Sequence, residues 1–258
     1  MTSLNQKSPA LSNRHKLSQN FSASDVLRLW ETASAAPAVS RATALLAAAN
    51  GEDVASTGAH SLGVRDRGLM ELRRQLVGET VEACTACPQC GAQIEACFPL
   101  ADLLAQSDAP VATMAVDLHG KRLLLKAPST SALEQLTSGC HHEAELREAV
   151  ISLCVQSCTD TNGEPAVVPA DADSVIAKAL EKLDPLAAIH ISLDCPDCTA
   201  GFEMPFDPAE FVWCEISQAA ERLLWEVDQL ARLYHWPEAD ILALSPRRRA
   251  AYLGMVQI

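Results

Sequence analysis

The feature that most limits what this chain can fold into is a pair of C-P-x-C motifs in matching surroundings, Cys87-Pro88-Gln89-Cys90 and Cys195-Pro196-Asp197-Cys198. Laid over one another at an offset of 108, residues 87–104 and 195–212 agree at seven of eighteen positions without a gap. The identities are Cys87/Cys195, Pro88/Pro196, Cys90/Cys198, Ala92/Ala200, Glu95/Glu203, Phe98/Phe206 and Ala101/Ala209. Chance supplies about one over such a window. Ile94/Phe202, Asp102/Glu210, Leu103/Phe211 and Leu104/Val212 keep their character, and Val81 falls over Ile189. Each half therefore reads as a strand, a turn bearing two cysteines, a second strand and the start of a helix.

Two cysteines separated by two residues in a tight turn can aim both sulfurs at one point, and zinc takes four thiolates in a tetrahedron. The expectation is one structural Zn2+ held by Cys87, Cys90, Cys195 and Cys198. Between Cys90 and Cys195 lie 104 residues. Closing a loop of that length instead of a 15-residue one costs only about 1.5–2 kcal/mol more. Structural zinc in finger peptides contributes about 10–16 kcal/mol, so the metal dominates. A thiol-disulfide pair would instead place its cysteines at the start of a helix, whereas here predicted strands flank both motifs.

The other cysteines carry weaker signals. Cys84 precedes Cys87 by three residues, but the duplication sets Ser192 opposite it, so it is left out of the ligand set. Cys97 and Cys214 read as packed thiols. Cys140, His141, His142, Cys154 and Cys158 could build a second site, with Cys154 and Cys158 one turn apart on a predicted helix. Core thiols and a polar turn are the preferred reading there.

Composition bounds the rest. Hydrophobic residues are 48% and charged residues 21%, which predicts a mostly globular chain. Twenty Lys and Arg against 33 Asp and Glu leave a net charge of −13, a field that repels phosphate backbones. No apolar run approaches the length of a membrane span. The N-terminal segment lacks the apolar stretch of a secretory signal, so a reducing, cytoplasmic setting is expected and the ten cysteines fit a metal site better than a disulfide framework.

The predicted organisation is a flexible tail over 1–20, an N-terminal helical region over 21–78, a ribbon formed by 79–104 with 186–207, an inserted hairpin-and-helix subdomain over 105–185, and a long helix with a helical ending over 208–258. The fold class is α+β: a central zinc ribbon of two similar β-hairpins, flanked by N- and C-terminal helices and carrying an α/β insertion. Ser24 and Asp25 are placed to cap a first helix, and Pro37 to open a second that stops at Asn50-Gly51. A third spans about 64–77, with Leu69, Leu72 and Leu76 on its face and Arg65, Arg73 and Arg74 off it. In the insertion, His119-Gly120 turns a hairpin, Ser131 and Glu134 suggest a capping box, and helices are expected near 142–157 and 172–183.

Asp207 and Glu210 read as a second capping box, with Pro208 at the first helical position, opening a helix that reaches about His235. Trp213, Ile216, Ala220, Leu223, Val227, Leu230 and Tyr234 repeat every seven residues along it. That face is either intramolecular core or a docking surface, core being preferred. Trp236-Pro237 breaks the helix. Short helices follow over about 238–244 and from Ser245-Pro246 to about Val256, the last with Arg247, Arg248 and Arg249 in its first turn, facing solvent or an acidic partner. There is no G-x-S-x-G, no G-x-x-x-x-G-K-[ST], no H-E-x-x-H and no dinucleotide fingerprint, so a non-enzyme is expected.

The ending Leu230-Ala231-Arg232-Leu233-Tyr234-His235-Trp236-Pro237, then Ile241–Leu244 and Arg248–Tyr252, resembles one found in tail-assembly and baseplate-associated proteins of contractile phage tails and phage-like injection systems. Leu62-Gly63-Val64-Arg65-Asp66-Arg67, the Leu-rich helix after it and the C-P-x-C motifs are similar to the T-even-type phage baseplate hub proteins of such clusters. The similarity is patchy but runs from about 25 to 256, and the second motif departs from it with Thr199 where the first has Gly91. The resemblance implies a structural or assembly role in a baseplate or hub, with other tail, baseplate or hub proteins as partners and no catalytic residues to transfer. The alternative is a zinc-ribbon protein that binds nucleic acid or works in transcription, which the net charge disfavours. A thiol oxidoreductase ranks third.

Overall fold

A computed structural model describes residues 21–105, 111–139 and 142–255. The expected flexible tail over 1–20 lies outside them, as do Cys140, His141 and Val256. The described chain is mixed α and β, with small antiparallel hairpins set among helices.

The N-terminal helices are α1 (Ala23–Ser34), α2 (Arg41–Asn50), α3 (Val54–Gly58) and α4 (Leu62–Leu76). The cap of α1 is Ser22, not Ser24 or Asp25: the Ser22 hydroxyl accepts from the Asp25 N–H and the Asp25 carboxylate accepts from the Ser22 N–H. The Ser22 hydroxyl also donates to the Asp25 carboxylate at 2.6 Å, and this bond, with the Ser22 N–H, holds the Asp25 carboxyl below its ordinary range. Helix α2 ends as expected at Gly51, whose φ of 69° is a left-handed cap that glycine adopts without strain. Helix α3 was not anticipated; Asp53 caps it by accepting from the Ala55 and Ser56 N–H groups.

Two hairpins carry the duplicated motifs. The first pairs β1 (Thr80–Ala86) with β2 (Gln93–Pro99), and the short helix α5 (Leu100–Ala105) follows. The insertion contributes β3 (Met114–Leu118), β4 (Lys121–Leu125), α6 (Thr130–Gly139), α7 (Glu143–Cys154), β5 (Val155–Thr159) and α8 (Asp173–Leu183). The second hairpin is β6 (Ile189–Asp194) with β7 (Gly201–Phe206). The chain ends in α9 (Pro208–Tyr234), α10 (Glu238–Ala243) and α11 (Pro246–Gly254).

Two expectations fail in the insertion. The helix near 142–157 stops at Cys154, and β5 takes over to pair with β4 and complete a sheet in the order β3-β4-β5. A lone β3-β4 hairpin would be marginal, and Leu123 and Leu125 of β4 need cover; Cys158, in register with Leu123, helps supply it. Helix α6 begins at Thr130 with Ser129 accepting from the Ala132 N–H, so Ser131 and Glu134 form no capping box. Glu134 instead accepts the Thr43 hydroxyl, 2.6 Å away on α2.

Four groups of buried side chains build the interior. The largest joins α1, α2, α4, α9 and α10, through Leu29, Leu45, Leu69, Leu76, Ile216, Leu223 and Leu242. Ile216, Ala220, Leu223 and Leu230 of the seven-residue repeat are buried in the chain's own interior, so this face is core and not a docking surface. Beyond it, Tyr234 stacks on Trp236 at 4.7 Å, and Tyr252 of α11 packs against both rings. His235, in the left-handed region at φ 56°, turns the chain so that these rings meet. A second core closes the insertion, and the two remaining cores lie between the duplicated hairpins.

Polar contacts bind the layers. Arg73, expected off the apolar face, is 2% exposed between α4 and α9. Its Nε and Nη2 donate to the two carboxylate oxygens of Glu215 at 2.9 and 3.0 Å, and its Nη1 donates to the Gly78 carbonyl at 2.6 Å. Arg65 is likewise buried, against Asp66. Burial pushes the Asp66 carboxyl up to about 6, with Arg65 opposing it in part. Arg249 pairs with Glu226 rather than facing an outside acid. At the start of α4 the Gly63 N–H donates to Asp184 at 2.9 Å; a Cβ at Gly63 would sit 2.2 Å from the other Asp184 oxygen, so only glycine fits.

The Arg73–Glu215 pair yields a quantitative expectation. Glu215→Ala leaves a buried guanidinium unmatched and is expected to cost about 3–5 kcal/mol in urea unfolding. Adding Arg73→Met should restore most of it, since the charge that lacked a partner is then gone.

Candidate metal centre

Each cysteine pair sits at the tip of its hairpin, and the two tips are built alike. In the first, the Cys87 N–H donates to the Ala92 carbonyl at 2.8 Å and the Gly91 N–H to the Cys87 carbonyl at 2.9 Å. In the second, the Cys195 N–H donates to the Ala200 carbonyl at 3.0 Å and the Thr199 N–H to the Cys195 carbonyl at 2.9 Å. The residue after the second cysteine is left-handed in both, Gly91 at φ 75° and Thr199 at φ 62°. Strand register matches too: Val81 faces Phe98 as Ile189 faces Phe206.

The tips face each other. Cys87 Sγ lies 3.7 Å from Cys198 Sγ, Cys90 Sγ lies 3.6 Å from Cys195 Sγ, and all four sulfurs fall within 4.8 Å of one another. The exchange is reciprocal: the first cysteine of each motif meets the second of the other, as in an isologous dimer interface. Duplicated residues also meet across this axis. Phe98 and Phe206 contact edge to face at 5.6 Å, and Val81 and Ile189 share one core. Ile94 and Phe202 pack beside the sulfurs, with Cys87 and Cys195 each 2% exposed and Cys90 open to solvent.

The chemistry of this donor set fits a metal ion. A tetrahedron with metal–sulfur bonds of about 2.3 Å has edges of about 3.8 Å, close to the observed separations. Backbone N–H groups aim at the sulfurs: those of Cys90 and Gln89 favour the Cys87 thiolate and draw it down to about 7. At Cys90 the Ala92 N–H acts the same way, but the Cys195, Cys198 and Cys87 sulfurs together with desolvation outweigh it and push that thiol up to about 12. At Cys198 the Ala200 N–H again favours the thiolate, but desolvation and the Cys195 and Cys87 sulfurs outweigh it and raise that thiol too. Four thiolates this close repel one another, and a dication relieves that repulsion. No disulfide joins the described cysteines. Four protein sulfurs fill a tetrahedral shell, so the geometry favours a structural ion over one with an open catalytic position.

The remaining candidates do not converge. Cys84 and Cys97 are exposed on the outer face of the first hairpin, opposite Glu95 and Glu82. Cys214 is exposed on α9. Cys154 ends α7 and Cys158 lies in β5, so they do not share a helical face; both are core thiols, and burial pushes Cys154 up to about 11. His142 is exposed ahead of α7, and Cys140 and His141 lie outside the described residues. Among the described residues one group of metal-ligating side chains converges, Cys87, Cys90, Cys195 and Cys198. Sequence reasoning did not single out Ala92 and Ala200 as part of the site, yet their carbonyls close the turns and their N–H groups reach sulfur. Their identity in the duplication was the available signal.

No family model, curated protein or solved structure matches this chain.

Thr199 supplies a test of the second tip. A β-branched residue held left-handed carries about 1 kcal/mol of strain or more, offset in part by its hydroxyl donating to the Cys198 carbonyl at 2.7 Å. Thr199→Gly is therefore expected to slow metal loss to a chelator and stabilise the protein by up to about 1 kcal/mol. Gly91→Thr should hasten that loss.

Proposed function

We propose that Cys87, Cys90, Cys195 and Cys198 hold one structural zinc ion, making the two hairpins a zinc ribbon, and that the chain is a non-enzymatic assembly protein of a phage-like contractile tail, acting at its baseplate or hub. The convergence of four sulfurs from hairpins more than a hundred residues apart carries the zinc-ribbon part of this reading. A shell filled by the protein leaves no position for substrate, so the site's product is rigidity. Zinc, when bound, supplies the charge that lets all four cysteines persist as thiolates. The chain's own groups do the rest: backbone N–H groups orient the sulfurs, and the Phe98–Phe206 contact locks the hairpins beneath them.

The tail assignment rests on the resemblance. The segments that carry it shape the molecule. Gly63 makes the close approach to Asp184 that caps α4, and Tyr234, Trp236 and Tyr252 knit α9 to α11. Arg65 and Asp66 form a buried pair. No helix of the described residues is long and apolar enough to cross a membrane.

Two outcomes test the proposal. Metal analysis of the purified protein should find one zinc per chain. Cys90→Ser and Cys198→Ser, made separately, should each release it and lower the same thermal transition, because binding energy here is folding energy. Co-expression with tube, hub and spike proteins of a contractile tail should yield a complex that survives gel filtration. A chain that stays alone beside all of them does not have the tail role, whatever its metal content.

A further inference from the structure

An open apolar cleft of about 580 Å³ lies where the insertion meets the N-terminal helices. Leu62 of α4, Leu133 of α6, Val150 of α7 and Leu180 of α8 wall it. Helix α8 explains its shape. Ile176, Ala179 and Leu183 face the insertion's own core; Leu180 packs at the edge of that core and, with Ala177 and Glu181 on the same helical face, lines the cleft, which the C-cap Asp184 continues. The small side chains of Ala177 and Ala187 keep the floor open, and both are exposed.

The charges are of one sign. Among the described residues lining the cleft, the only charged groups are Glu181 and Asp184. Asp184 accepts from the Gly63 N–H, and Glu181 is exposed without an ion pair to any described residue. Arg147, one turn before Val150, pairs with Asp173, one turn before Ala177, so that cation is already matched. Lys178 and Lys182 are exposed and lie off the cleft-facing stripe of α8. The cleft thus offers aliphatic walls and an unmatched carboxylate, in a chain of net charge −13.

We propose that this cleft docks an amphipathic helical segment of a partner protein that presents aliphatic anchors flanked by lysine or arginine. The volume suits a few large side chains. Sites for small polar molecules carry several convergent polar groups, whereas helix-in-groove docking needs apolar walls and a charged rim, which is what this cleft has. Basic flanks match Glu181 locally and the chain's overall field. The inference uses the assembly role only in taking a protein segment as the occupant.

The test uses the full-length, metal-loaded protein and two fluorescent synthetic helices. Both carry leucine at i, i+3, i+4 and i+7; one is flanked by lysine and its twin by glutamate. The lysine helix should bind about tenfold more tightly at low salt, and the gap should close as salt rises. Ala177→Trp, which fills the floor, should abolish binding. Glu181→Lys, at an exposed position that leaves the fold intact by circular dichroism, should erase or invert the preference, and it decides the matter should the tryptophan variant fail to fold. Equal affinity for the two helices, or binding indifferent to Glu181→Lys, overturns the proposal. Binding of dodecanoate that Glu181→Lys strengthens, with neither helix bound, overturns it in favour of a small apolar anion. A chain that ignores tail proteins but binds the lysine helix refutes the tail role and leaves this site standing.

Discussion

The meeting of two hairpin tips through four sulfurs is the contact on which the rest of the molecule is arranged. Neither hairpin would be stable in water by itself, because two strands cannot bury enough apolar surface. Face to face, they enclose Ile94 and Phe202 beside the sulfurs and Val81, Phe98, Ile189 and Phe206 below. Met70 of α4 and Phe211 of α9 reach into that lower layer, so the clasp also sets how these two helices approach each other. Where they do, Arg73 and Glu215 form a buried pair with little freedom to shift, since each oxygen of the carboxylate receives its own N–H.

The near-symmetry has a chemical benefit. A four-sulfur shell needs two cysteines from each side at equal reach, and a turn used twice in reciprocal orientation supplies this with one local geometry. The copies then diverge where symmetry is not needed. After the first hairpin comes the short helix α5, ahead of the insertion; after the second, Asp207 caps a helix of 27 residues that packs against α1, α2, α4, α10 and α11. The insertion returns to the body through Asp184, whose carboxylate caps α4, and through the Ser61–Ser129 bridge, and the apolar cleft opens at that seam.

Much of this was legible beforehand; the caps of α1 and α3 were local signals passed over, and the other misses share one cause. The hairpins, their turns, the Gly51 stop and the Asp207 cap follow from signals contained within a few residues. Cys154 and Cys158 are core thiols as preferred, but the helix expected to carry both was misread because a spacing of four fits a helical face, while the actual arrangement depends on Leu123 needing a partner strand. Arg73 read as lying off the apolar face because its partner could not be seen from α4 alone; Glu215 is 142 residues away. Ser131 and Glu134 had the right spacing for a cap, but Thr43 of another helix claimed the carboxylate.

What the sequence alone determined is therefore local or duplicated: which cysteines belong together, where strands and turns fall, and where the long helix begins. Repetition made even a distant pairing readable, because the same motif written twice announces that its copies share a task. Only the tertiary structure decided that α9 spends its seven-residue stripe on the chain's own core, that Asp184 caps a helix 121 residues earlier, and that α8 leaves Ala177 and Glu181 exposed at the cleft. Periodicity specifies that a face is apolar but not what covers it; that choice is made by every other surface competing for the same burial.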